Sequence, residues 1–245
     1  LDASSLQLID ISAPAAPVFM GSFATPYGYR DLEIQNNWAY IALNNGIDGI
    51  MTIDLSTGPK INQAKAAAQT FIDFNGWNPQ SDQMALVSYA SSSTLDRNLT
   101  SNFSLVKTAV NNLVSNGGTA TGNGINTATT ELISARANPA ALKFQVLMSD
   151  GQTNSGSSSN TAAITASNNN IIIYTIGFGE DADAVELQNI ANQTGGQYYA
   201  ASDQNSLAAG YQLIAQSIQV LAQDANIIAN FSNGTLIVND GNAIL

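Results

Sequence analysis

The eight residues from Phe144 to Gly151, FQVLMSDG, constrain the fold more than any other stretch of the chain. The run is apolar for most of its length and then stops at Ser149, Asp150 and Gly151. A short apolar run that ends in turn residues reads as a buried strand of a parallel sheet. In open α/β sheets, ligands bind just beyond the carboxyl ends of such strands. Asp150 is therefore expected at a binding edge, with Gly151 letting the backbone turn sharply.

A second run of the same kind lies upstream. Ile50 to Gly58, IMTIDLSTG, ends in Asp54, Ser56 and a glycine turn. Pro59 and Lys60 then open an amphipathic helix, with Ile61, Ala64, Ala68, Phe71 and Ile72 on one face. Between the two strands lies NGGTATGNG, which carries Thr119 and Thr121 in a glycine-rich turn ahead of a helix expected from Ile125 to Arg136. Two aspartates and several hydroxyls at strand-to-helix turns make a small oxygen-rich site for a hard cation. Magnesium suits it, because it takes oxygen ligands octahedrally and keeps several waters.

From about Ile50 to Leu221 the chain resembles a von Willebrand factor type A domain. The resemblance runs in order through DLS and QAKAAAQTF, DQMALVSYAS, NGGTATGNGI, FQVLMSDG, IIIYTIGFGEDAD, LQNIANQTGGQYYAASD and SLAAGYQLIAQSIQVL. It implies an α/β fold, a doubly wound, mostly parallel six-stranded sheet flanked by helices. It also implies a metal-ion-dependent adhesion site at the top of that sheet. Asp54 and Ser56 match the first two positions of the family's Asp-x-Ser-x-Ser motif, Thr119 its threonine and Asp150 its second aspartate. The ion implied is Mg2+, or Mn2+ or Ca2+ in its place. Gly58 stands where the motif has its second serine, and the turn is about three residues short. Thr57 is the hydroxyl that substitutes if the turn is rebuilt.

The N-terminal residues carry a different pattern. LQLIDISAP at 6–14 recurs as MTIDLSTGP at 51–59, and the pairs Asp10/Ser12 and Asp54/Ser56 stand 44 residues apart. Strands are expected over Val18 to Phe23, Asp31 to Gln35 and Trp38 to Leu43, punctuated by Pro, Gly and Asn. Short strands at a period of this size are the mark of propeller blades, and the run resembles an LVIVD-type repeat. Ile53 to Ser56 thus has two readings, the metal-binding first strand or the start of another blade, and one strand can serve both roles. The expected organisation is a blade-like segment over 1–49, the type A domain over 50–222 and a C-terminal β-hairpin over 223–245. In that hairpin ANIIANF and TLIVND would pair through an Asn-Gly turn. The flanking strands would form a small β appendage, or complete a neighbouring subunit's sheet by strand addition. One blade does not close a propeller, and the chain starts mid-pattern, which fits a piece of a larger protein or an assembly subunit.

Composition narrows the function. The 245 residues include 18 Asp and Glu against 7 Lys and Arg, a net charge of −11. That disfavours nucleic acid or an anionic membrane as partner, since both need basic patches. No apolar run has the length of a membrane span. With no histidine and no cysteine, the usual general base, zinc ligands and thiol chemistry are missing. GGTATGNG lacks the Lys-Ser/Thr ending of a phosphate-binding loop. Charged residues are only 10%, so Asn, Ser, Thr and Gln must cover much of the surface, as in many secreted and assembled proteins.

Two smaller motifs have structural readings. GEDAD, with Glu180, Asp181 and Asp183, is expected to cap a helix that starts near Ala184. GSSS at Gly156 to Ser159 reads as a flexible connection. The functional expectation is a non-enzymatic, extracellular or cell-surface module that binds a protein partner, whose acidic side chain completes the metal shell. The alternative is a structural subunit of a filament or surface layer, with a degenerate metal site and contacts through flanking strands. A subunit of an intracellular metal-inserting or ATP-driven complex is a third reading.

Overall fold

The structure is a computed structural model that describes residues 5–10, 18–24, 29–35, 38–43, 50–54, 60–115, 117–230, 237–239 and 242–244. The chain falls into two compact units, residues 1–66 and 67–245.

In the first unit, β1 (Ser5–Asp10) pairs antiparallel with β2 (Val18–Ala24). A second antiparallel sheet holds β3 (Tyr29–Gln35), β4 (Trp38–Leu43) and β5 (Ile50–Asp54), in that order. The expected blade strands are therefore present, each within a residue or two of its limits. Ala39 and Ile41 on β4 are buried while Tyr40 between them is exposed, the alternation of a strand with one covered face. Of the segment Ile53 to Ser56, the first two residues are hydrogen-bonded to β4: Ile53 pairs with Ala39 and Asp54 with Trp38.

Helix α1 (Lys60–Ile72) spans the boundary between the units. In the second unit its Ile72 and Ala68 pack with residues of β6 (Met84–Tyr89) and α2 (Phe103–Asn111), namely Met84, Leu86, Val106 and Val110. Strand β6 pairs antiparallel with β7 (Ser93–Thr100). Then come α3 (Thr121–Leu132), β8 (Lys143–Ser149), α4 (Ser159–Asn168), β9 (Ile171–Phe178), α5 (Ala184–Thr194), β10 (Tyr198–Ala201) and α6 (Gln204–Asn230).

Strands β8, β9 and β10 form a parallel sheet with β9 in the middle. The sequence IIIYTIGF suits that place, being β-branched and apolar almost throughout. Its residues serve two faces. Ile171 and Ile173 join Leu147 of β8 in a core with Ile125 of α3, Ala162, Ala163 and Ala166 of α4, and Leu187 and Ile190 of α5. On the opposite side, α6 lays Gly210 within 3.7 Å (measured from a Cβ position) of Ile176 Cδ1. Helices on both faces of a parallel sheet are the doubly wound arrangement. Within residues 67–230 the described ladders give this three-stranded sheet and the separate β6–β7 pair, so they do not by themselves confirm the count of six strands expected from the resemblance.

Three local expectations are corrected. Helix α3 starts at Thr121 and ends at Leu132, about four residues earlier than expected at each end. Gly122 and Gly124, which argue against helix by propensity, are admitted because the helix is packed too closely for side chains there. A Cβ on Gly122 would fall 2.2 Å from the Ser157 carbonyl oxygen. GSSS is an ordered capping turn: the Ser158 hydroxyl accepts from the Thr161 N–H at the start of α4, and Ser159 is buried. Finally, residues 225–230 of ANIIANF belong to α6 instead of a strand. The apolar spacing Leu207, Tyr211, Ile214, Ile218 continues through Ala222, Ala225 and Ile228, and no Gly or Pro falls between Tyr211 and Asn230. The C-terminal hairpin is formed instead by β11 (Ile237–Asn239) and β12 (Asn242–Ile244).

Candidate functional site

Three chain segments meet where β6 and β8 end. The first is Tyr89, Ala90 and Ser91, leaving β6. The second is the turn 117–121 that opens α3, and the third is the loop 149–157 after β8. Backbone and side-chain hydrogen bonds join them. The Ala120 N–H donates to the Ala90 carbonyl at 2.7 Å, and the Gly118 N–H to Ser91 Oγ at 2.9 Å. Gly117 takes φ +77°, a left-handed conformation that glycine adopts without strain. Thr119 and Asn154 clasp each other twice: the Thr119 N–H donates to Asn154 Oδ1 at 2.9 Å, and the Asn154 N–H to the Thr119 carbonyl at 3.1 Å.

This clasp brings Thr119 beside the turn that carries Asp150. A Cβ on Gly151 would lie 3.6 Å from Thr119 Oγ1. Asp150 is exposed, and among the described residues its carboxylate takes no hydrogen bond or ion pair from protein. Ser149 is buried, and its hydroxyl donates to the Gly151 carbonyl at 3.1 Å across the turn. The Tyr89 hydroxyl donates to the Met148 carbonyl at 2.6 Å. Burial holds that phenol well above its usual range, with the Asp150 charge adding to the effect, so it remains a neutral donor.

Of the four residues that the resemblance implies as metal ligands, the structure thus brings Thr119 and Asp150 onto neighbouring loops. Asp54 closes β5 opposite Trp38, and Ser56 lies outside the described residues, as do Thr57 and Gly58. Among the described residues no group of three or more His, Cys, Asp and Glu side chains is placed to hold a metal. A site built on two carboxylates and hydroxyls does not need one. An exposed, unpartnered carboxylate beside a threonine hydroxyl is a hard-oxygen donor set that fits a small divalent cation.

A second polar cluster was not foreseen. The Thr153 hydroxyl shares a 2.6 Å hydrogen bond with the buried Thr121 hydroxyl and donates to Glu186 Oε2 at 2.7 Å. The Ser159 hydroxyl donates to the other oxygen, Glu186 Oε1. Asp183 caps α5 as expected, its Oδ1 accepting from the Glu186 N–H at 2.9 Å. The sequence signal was the Asp-x-x-Glu spacing of a capping box, but here the glutamate turns toward the hydroxyls of α4 and the 149–157 loop. An open depression of about 550 Å³ lies beside this cluster, lined by Ser159, Asp183, Val185, Glu186 and Ile190 among others.

Comparison with known proteins fits this geometry. The family model of the von Willebrand factor type A domain matches residues 50–213, and that of the LVIVD repeat matches 2–25 and 29–57. No curated protein matches. Among solved structures, a von Willebrand factor type A protein from Catenulispora acidiphila is similar at 25% identity and a TM-score of 0.59, over 65% of this chain and 38% of that one. Proximal thread matrix protein 1 from the mussel byssus, solved with a zinc-occupied MIDAS motif, is 25% identical with a TM-score of 0.55, over 66% and 40% of the two chains. The von Willebrand factor domain of the type V pili tip protein Mfa5 from Porphyromonas gingivalis shares the fold at 16% identity and a TM-score of 0.55, over 67% and 90%. This chain therefore spans about two fifths of the first two relatives. With the family model covering residues 50–213 in order, the chain belongs to the von Willebrand factor type A domain family.

Proposed function

We propose that this chain is a non-enzymatic protein-binding module of the cell surface or extracellular space, and that its type A domain holds a divalent cation of the magnesium class. Thr119 and Asp150 are the residues whose setting supports this, and Asp54 and Ser56 join them by the family motif. The cation would supply an open coordination position for a carboxylate of the partner protein. The chain's own part is to hold the turns still and to leave the Asp150 oxygens uncommitted. The observation that carries the reading is that Asp150 is exposed and, among the described residues, without a protein partner, on the turn beside Thr119. The mussel thread protein and the pilus tip protein, both parts of extracellular assemblies by their names, support the surface setting. Among the described residues no helix is long and apolar enough to cross a membrane.

Calorimetric titration with Mg2+ and then Mn2+, on wild type and on Asp150→Ala, tests it. Binding in wild type that is lost in the variant is the expected result. Absence of binding in wild type would leave a second reading, a structural subunit that assembles through its flanking strands. That reading has its own support: β5, which carries Asp54, is hydrogen-bonded into the blade sheet, and the LVIVD match continues through residue 57.

A further inference from the structure

The turn that presents Asp150 is braced from the end of β6 by a residue that is not one of the four motif residues. Tyr89 ends β6, and its cross-strand partner Ser93 is tied to α3 by a 2.7 Å hydrogen bond between the Ser93 and Thr127 hydroxyls. The ring lies under α3 so closely that a Cβ on Gly124 would stand 2.8 Å from Tyr89 Cδ1. The hydroxyl reaches the Met148 carbonyl at 2.6 Å, at the residue before Ser149. Ser149 in turn donates to the Gly151 carbonyl at 3.1 Å. The residues before and after Asp150 are thus both tied, while Asp150 itself is not.

We propose that Tyr89 is a positioning residue for Asp150, acting through Met148 and Ser149 to fix the turn that aims the carboxylate at the cation. This rests on the cation reading above. Without the strap, Asp150 would sample many orientations, and each binding event would have to order the turn first.

The test uses the full chain as wild type, Tyr89→Phe and Ser149→Ala. Backbone 15N relaxation at Asp150 and Gly151 is measured without metal, and Mn2+ affinity is measured by the electron paramagnetic resonance signal of the free ion. Tyr89→Phe keeps the ring and its packing, so the fold is retained. The strap predicts a lower heteronuclear NOE at Asp150 and Gly151, and Mn2+ binding weakened roughly fivefold, the worth of one net hydrogen bond. Ser149→Ala should shift both readouts in the same direction. Wild-type rigidity and affinity in both variants would overturn the proposal. So would a loosened turn with unchanged affinity, or a lower melting temperature with neither readout changed. If wild type takes up no Mn2+, the cation reading fails separately, and no role in aiming Asp150 at an ion survives. The NOE comparison would then show whether the strap itself exists.

Discussion

Gly196 lies against the backbone of β9 so tightly that a Cβ would stand 2.1 Å from the Ile173 carbonyl oxygen. Its neighbour Gly195 is a different case. It takes φ +79° as the left-handed cap of α5, with nothing within 4 Å of a Cβ position. The TGG motif thus needs its two glycines for two reasons, close approach and conformation. Gly195→Ala should cost about 1 kcal/mol, the strain of a left-handed alanine. Gly196→Ala must displace β9 or α5 and should cost at least about 3 kcal/mol. Urea unfolding of the two variants checks the order, and equal losses would contradict it.

Stability should also report one ion pair through pH. Arg136 holds Glu131 by two hydrogen bonds, Nε to Oε1 at 2.9 Å and Nη2 to Oε2 at 2.5 Å, and the Leu99 N–H adds a third at 2.8 Å. Led by the Arg136 hydrogen bonds, these contacts hold the Glu131 carboxyl below its usual range. A carboxylate whose folded pKa is depressed stabilises the protein fully above its unfolded value of about 4.3, and loses that contribution as pH falls through the folded value. In Glu131→Gln the contribution is absent at every pH. The gap between wild type and variant in urea midpoint should therefore be widest near neutral pH, start to narrow below about pH 4.3 and close only as pH falls through the lowered folded value.

Much of the fold could be read from local pattern. β8 and β9 declare themselves by apolar runs, and Asp183 ahead of Ala184 marks the start of α5. Two of the misplaced elements share one cause, tertiary packing that overrides propensity. The Asn-Gly pair at 123–124 looks like a turn, yet α3 runs through it because Tyr89 leaves no room for a larger residue. GSSS looks like a linker, yet Ser159 is recruited by Glu186, 27 residues further on. No spacing in the sequence announces that meeting, nor the reach of Tyr89 to Met148 across 59 residues. Within the candidate site, the loops of Thr119 and Asp150 were legible because one is a glycine-rich turn ahead of a helix and the other follows an apolar strand. The two readings of Asp54 came from one short strand that satisfies both a blade and a type A pattern.

Glu186 should matter more than its place on a helix surface suggests. Its two oxygens gather hydroxyls from Thr153 and Ser159, and Thr153 bonds Thr121 at the opening of α3. Glu186→Gln keeps the shape but puts an amide donor against a hydroxyl that must then reverse. It also removes a negative charge from the first turn of α5, where the helix dipole favours one. The expected loss is about 1–3 kcal/mol, with faster amide exchange at Thr121 and Thr153. Asp183→Ala, which removes only the cap, should cost about 1 kcal/mol and leave those two amides unchanged.

The departure from the family motif gives the sharpest test of whether the cation matters. Gly58 stands where the motif carries its second serine, so a cation held at this motif would meet one hydroxyl fewer. Mg2+ demands near-ideal octahedral geometry and gives up its waters reluctantly, so a restored hydroxyl should tighten binding if the ion is held by Asp54, Ser56, Thr119 and Asp150. A contact between a hydroxyl and a charged centre is worth about 1.5 kcal/mol or more, which is about tenfold in affinity. Gly58→Ser is therefore expected to bind Mg2+ about tenfold more tightly than wild type in calorimetry. Adding Asp150→Ala to Gly58→Ser should abolish the gain. If Thr57 already supplies the missing oxygen, Gly58→Ser would change little and Thr57→Ala would weaken binding instead. A chain in which neither substitution alters Mg2+ affinity holds no ion at this motif, and its contacts with partners must then come from the strands.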